Sequence, residues 1–136
     1  MAACLYLDTS AVLRAILENG TSPELEARIA SAPALITSRL SVVESSRAIH
    51  RLRQLGQLGE AQLADAQREI DALWARCELW ELTQSVCEMA RWVSPGKGLR
   101  TLDALHLATF VLAREKIASL ELLTTDIRLQ AAIGNV

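Results

Sequence analysis

Four acidic side chains stand where the local pattern would bring carboxylates to one place. Asp8 ends the apolar run "CLYL" as a helical stretch begins, and Asp126 follows "LLTT" in the same way. Asp103 lies in the first turn of an apolar helical segment after Thr101, and Glu44 in the second turn of a helical stretch starting near Ser38. Each alone has an ordinary explanation. Asp is a favoured N-cap, and acids in a first helical turn gain from the helix dipole. Glu44 has Arg47 and Arg51 three and seven residues on as surface ion-pair partners. Together they are harder to dismiss, because Ser, Thr or Asn would cap as well. Two ionised carboxylates at about 4 Å repel by roughly 4 kcal/mol at an effective dielectric near 20. A cluster of them needs a shared proton or a cation. Oxygen ligands without His or Cys suit Mg²⁺, with Mn²⁺ as a substitute, and Mg²⁺ typically takes one or two carboxylates plus phosphate oxygens. The chemistry indicated is phosphoryl transfer, with the ion orienting a water and neutralising phosphate charge. Ser10 and Thr124, each two positions from an Asp, would hold a carboxylate or the attacking water; a local capping role explains them equally well.

The elements that must position these groups alternate in type. Apolar runs at Cys4 to Leu7, Ala34 to Thr37, Cys77 to Leu82 and Leu120 to Thr124 read as strands. Segments of helical period lie between them: Ala11 to Glu18, Pro23 to Ser31, Ser38 to Leu55, Glu60 to Trp74, Thr83 to Val93, Thr101 to Arg114 and Asp126 to Ile133. The stretch "GQLG" at 56–59 joins two of them as a helical hairpin standing off the rest, and "SPGKG" at 94–98 is a break. Strand–helix alternation predicts an α/β fold: a central parallel, twisted sheet of four to five strands flanked by helices. In such a sheet ligands bind beyond the carboxyl ends of the strands, which is where Asp8 and Asp126 fall.

At 136 residues, half of them apolar and 22% charged, the chain is expected to form one domain over 1–136. The early apolar run has no basic flank and is too short to span a bilayer, so a cytoplasmic protein without a membrane association is expected. Cys4, Cys77 and Cys87 are odd in number and form no CxxC pair, which argues against a disulfide framework or a zinc site. A net charge of −2 argues against coating nucleic acid by bulk attraction. Two local stretches are nonetheless basic: Arg47, His50, Arg51 and Arg53 lie between Ser45 and Gly59 with no acid, and Arg91, Lys97 and Arg100 between Arg91 and Thr101. Either alone reads as a solvated face. His106, three residues after Asp103, has the spacing of an acid–base pair, but a satisfied core histidine is the better reading.

The stretches "YLDTSAVL", "SVVESSRA", "LRTLDALHLATF" and "LLTTDIRLQAA" resemble, in order, the four acidic motifs of PIN-domain nucleases, and the whole chain resembles the VapC-like toxins of type II toxin–antitoxin pairs. The resemblance implies an Mg²⁺-dependent endoribonuclease that hydrolyses RNA with metal-activated water and leaves a 5′-phosphate and a 3′-hydroxyl. Carried over by position, Asp8 and Asp103 would be the principal metal ligands, with Glu44 and Asp126 completing the catalytic cluster directly or through water. A cognate antitoxin and a homodimer are the implied protein partners. Arg47, Arg51, Lys97 and Arg100 would then flank the pocket and hold RNA phosphates. The apolar stripe of the hairpin would be an antitoxin or dimer surface, or else an ordinary core face. Two readings from other classes compete. A receiver-like Mg²⁺-binding signalling module would also place Asp residues at strand ends, but no Lys follows the last strand where such modules use one, and Glu44 would have no task. A non-catalytic RNA- or partner-binding module would have no use for four acids.

Overall fold

The computed structural model describes residues 2–18 and 20–135. Its strands are β1 (Leu5–Leu7), β2 (Leu35–Ser38), β3 (Glu78–Trp80) and β4 (Glu121–Leu123). They form one sheet in the order β3-β2-β1-β4, and every neighbouring pair is parallel. Successive side chains of a strand point to opposite faces, so β1 sends Leu5 and Leu7 to one layer and Tyr6 to the other; all three are buried. Helices on both faces account for a strand apolar at every position.

The helices are α1 (Thr9–Leu17), α2 (Pro23–Ser31), α3 (Arg39–Leu55), α4 (Glu60–Arg76), α5 (Gln84–Ala90), α6 (Thr101–Lys116) and α7 (Ile127–Ala132). On one face Leu5 and Leu7 pack with Val12 of α1, Ile29 of α2, Ile49 of α3 and Leu63, Ile70 and Trp74 of α4. On the other, Tyr6 and Ile36 pack with Leu107 and Phe110 of α6 and Leu129 of α7. The predicted order of elements is the observed one. Three strands are shorter than their apolar runs and β2 is shifted by one residue, because an apolar run marks burial whereas a strand ends where its ladder partner ends. The helix expected over Thr83 to Val93 closes at Ala90, and the chain leaves it through turns in which the Arg91 and Trp92 amides bond to Glu88 and Met89 carbonyls.

The helical hairpin is α3 and α4, reversed at Gly56, whose left-handed φ of 68° suits a residue without a Cβ. Its tip is exposed, with Leu55 at 64%. Its base is part of the core: the α4 stripe of Leu63, Ala66, Ile70, Leu73 and Trp74 is buried, and Trp74 Nε1–H donates to Ser45 Oγ of α3 at 3.0 Å. The stripe is therefore a core face rather than a surface for a partner. The break after α5 is a 3-10 turn, Pro95–Lys97, preceded by Ser94 in left-handed backbone at φ 44°. Ser94 is buried and its hydroxyl donates to the Ala132 carbonyl at 2.8 Å, which pins the break to α7. Cys4 and Cys77 are half-buried, Cys87 is exposed, and all three thiols are free. Among the described residues no helix is long and apolar enough to cross a membrane.

From β1 the chain steps outward to β2 and β3, then returns across β1 to β4. The order of strands thus reverses between β1 and β4, and the crevice beyond the carboxyl ends of these two is the place where an open α/β sheet accepts a ligand. Asp8 and Thr124 are the residues that follow the two strands there.

Candidate active site

Asp8 follows Leu7 with the strand parity of Tyr6, which directs it toward α6. Although Asp8 occupies the N-cap position of α1, its carboxylate caps no amide. Instead its Oδ2 accepts hydrogen bonds from Ser10 Oγ at 2.5 Å and Thr124 Oγ1 at 2.7 Å. Those hydroxyls in turn accept from the Thr125 and Asp126 amides at 3.1 and 3.0 Å. The end of β1 is thereby laced to the exit of β4, and among the described residues no hydrogen bond reaches Asp8 Oδ1.

Glu44 arrives from α3 and is anchored in the same manner. Its Oε1 accepts from Thr9 Oγ1 at 2.8 Å and from His106 Nε2 at 2.5 Å. Burial alone would push its carboxyl up; the His106 hydrogen bond and charge, the Thr9 hydroxyl and the Arg51 charge outweigh that and hold it below the ordinary range. Glu44 therefore remains a carboxylate at neutral pH. Asp8 Oδ1 lies 3.7 Å from the same His106 nitrogen, so the two acids face one another across it.

Asp126 does cap: its Oδ1 accepts from the Arg128 and Leu129 amides of α7 at 2.9 and 3.4 Å. Thus Asp8, Glu44 and Asp126 share a construction, in which one oxygen takes two donors and, among the described residues, the other takes no hydrogen bond. Asp103 differs. It lies in the first turn of α6, one turn before His106, and its Oδ2 is buried with no hydrogen-bond partner. Arg100 Nε stands 3.7 Å from that oxygen, too far for a hydrogen bond.

These observations bear on a cation. Among the described residues no three His, Cys, Asp or Glu side chains converge closely enough to cage a metal. An orphaned buried oxygen on Asp103 and a free oxygen on Asp8 nevertheless fit Mg²⁺, which takes one or two carboxylates and keeps several waters. The donor set is all oxygen, as Mg²⁺ and Mn²⁺ prefer.

The basic residues divide. Arg51 acts on Glu44 through its charge and Arg100 stands beside Asp103. Arg47 and Lys97 are exposed on the same two elements, α3 and the turn before α6. His106 is a satisfied core histidine, as expected from the sequence, but its partners are Glu44 and the Tyr6 hydroxyl rather than Asp103. Sequence reasoning missed Thr9 and Tyr6. The available signal was strand parity, which sets Tyr6 and Asp8 on one face, and the second hydroxyl of "DTS".

The chain has relatives among known proteins. A PIN domain model matches residues 5–134. The chain belongs to the PIN domain family. Ribonuclease VapC45 of Mycobacterium tuberculosis is 31% identical over 105 residues, which cover 77% of this chain and 73% of that protein. The PIN fold recurs in the crystal structure of Mycobacterium tuberculosis VapC20, described as a sarcin-ricin loop cleaving toxin. It has a TM-score of 0.67 at 19% identity and covers 97% of this chain and 96% of that one. A toxin–antitoxin complex from Klebsiella pneumoniae gives a TM-score of 0.60 at 23% identity, covering 90% and 86%. In this PIN domain Asp8 and Glu44 converge on one His106 nitrogen. Asp8 is laced through the Ser10 and Thr124 hydroxyls to the Thr125 and Asp126 backbone amides, and Asp103 lies one turn before His106 on α6.

Proposed function

We propose that this chain, acting as one nuclease domain over 1–136, is a metal-dependent endoribonuclease and the toxin of a cytoplasmic toxin–antitoxin pair. The observation that carries the reading is the crevice itself: Asp8 and Glu44 within 3.7 Å of one His106 nitrogen, each with an oxygen left free. Asp8 and Asp103 would hold Mg²⁺, or Mn²⁺ in its place, and Glu44 and Asp126 would complete the cluster directly or through water. When bound, the ion supplies a positive charge for the phosphate and a water of lowered pKa. The chain's residues do the rest. Ser10 and Thr124 keep Asp8 from rotating, Thr9 holds Glu44, and Arg47, Arg51, Lys97 and Arg100 rim the crevice with positive charge for single-stranded or looped RNA. The kinship with VapC45 supports RNA as substrate. An antitoxin partner and a homodimer belong to the same proposal. A receiver-like module is less well supported, since Glu44 is tied into the cluster and has no role in such a design.

The test is cleavage of an RNA panel by antitoxin-free protein. Cutting is expected with Mg²⁺, to stop with EDTA, and to return when Mg²⁺ or Mn²⁺ is restored; cutting that persists undiminished in EDTA would overturn metal dependence. The basic rim has its own expected outcome. Replacing Arg47, Arg51, Lys97 and Arg100 by Gln should flatten the plot of log affinity against log salt, by about 0.7 for each phosphate of single-stranded RNA that is no longer neutralised. Filter binding across a salt series reads this directly, and an unchanged slope would remove these four from the RNA path.

A further inference from the structure

We propose that Tyr6 and His106 form a buried relay that positions Glu44, so that this carboxylate offers the crevice one oxygen, Oε2, in a set direction. The inference rests on the nuclease reading above and assigns roles to two residues outside the acidic cluster.

Both ring nitrogens of His106 are engaged. The Tyr6 hydroxyl meets Nδ1 at 2.9 Å, and Nε2 meets Glu44 Oε1 at 2.5 Å. An ionised carboxylate has no proton to give, so the hydrogen of the second contact is on Nε2. Neither ring has room to turn: Tyr6 and His106 are 0% and 1% exposed, and the tyrosine ring sits edge-on to both His106 and Phe110. The imidazole is thus fixed by β1 and α6, and it reaches across to a side chain of α3. Thr9 donates to the same Oε1 at 2.8 Å from the start of α1. With one oxygen occupied by two donors on rigid elements, only Oε2 is free to act.

The relay answers a local competition. Glu44 is a long side chain with Arg47 and Arg51 on its own helix, one and two turns on, and an unrestrained Glu would turn toward them. Positioning partners of this kind are worth about 10–100-fold in metal affinity or activity. His106 and Tyr6 are positioning residues: they act through Glu44 and touch no substrate.

Two substitutions separate position from polarity. The side-chain amide of His106→Gln reaches the place of Nε2 and can still donate to Glu44, whereas that of His106→Asn reaches only the place of Nδ1. The Asn variant is expected to lose about 10–100-fold in kcat with KM little changed, and the Gln variant to recover most of it. Tyr6→Phe should fall between them. Equal activity of the Asn and Gln variants at equal Tm would overturn the relay. A second measurement needs neither a variant that folds nor any activity. Two-bond proton–nitrogen NMR on ¹⁵N-histidine-labelled wild type, with the exposed His50 as the other signal, should show a proton on Nε2 of His106. A His106 protonated on Nδ1 alone would overturn the proposal. If wild type cuts no RNA, the nuclease reading fails while the NMR result still decides the relay.

Discussion

Asp8→Asn should lower RNA cleavage by about a hundredfold or more and leave the fold intact or slightly more stable. The amide keeps an oxygen that can accept from Ser10 and Thr124, so the lacing of β1 to the β4 exit survives. What disappears is the negative charge and the free anionic Oδ1 facing the crevice. Charge stabilisation by a bound metal is worth several kcal/mol in a transition state, and each 1.4 kcal/mol is about tenfold in rate. Loss of half of that already reaches a hundredfold. Stability moves the other way, because a carboxylate facing Glu44 across His106 carries repulsion that an amide lacks. Single-turnover cleavage beside a thermal melt checks both halves, and Asp103→Asn should behave alike. Cleavage by the Asn variants at the wild-type rate would place the catalytic charge elsewhere.

Ile70→Ala should destabilise the fold by about 2–5 kcal/mol. Ile70 is fully buried and packs in the same cluster as Leu5, Leu7 and Val12, so the hairpin cannot close over the hole without moving α4 off α1. Against a total stability of about 5–15 kcal/mol the loss is severe, and it corresponds to a fall of about 10 °C in Tm. Urea unfolding followed by tryptophan fluorescence reads it out. A cost below about 1 kcal/mol would mean that α4 stands off the domain at its base as well as at its tip.

The two expectations depend on different kinds of information. Strand–helix alternation and the apolar runs made the parallel sheet legible, since burial on both faces leaves a signature that needs no partner to be recognised. Asp8 and Asp126 were legible for a related reason: an acid just past an apolar strand falls at the ligand-binding edge by topology alone, whereas Glu44 and Asp103 stood out through the resemblance of their motifs. Whether each acid caps a helix was not legible. Asp8 and Asp126 occupy equivalent positions, yet Asp126 caps α7 while Asp8 caps nothing. The difference lies in Ser10 and Thr124, hydroxyls 114 residues apart in the chain, which converge on Asp8 only once β1 and β4 pair. His106 is a similar case. Its spacing from Asp103 is a property of one helix, whereas its bond to Glu44 spans 62 residues and exists only because α6 and α3 meet at the end of β1.

By itself, then, the sequence determined the order of the elements, the parallel sheet between helical layers and the placing of Asp8 and Asp126 at its carboxyl edge. Periodicity and strand-end placement are local properties and survive in a one-dimensional reading. Only the tertiary structure decided which oxygen of Asp8, Glu44 and Asp126 is anchored and which is free, that His106 serves Glu44, and that the hairpin stripe belongs to the core. Those facts depend on directions and distances between residues far apart in the chain, which are set when the layers close and not before.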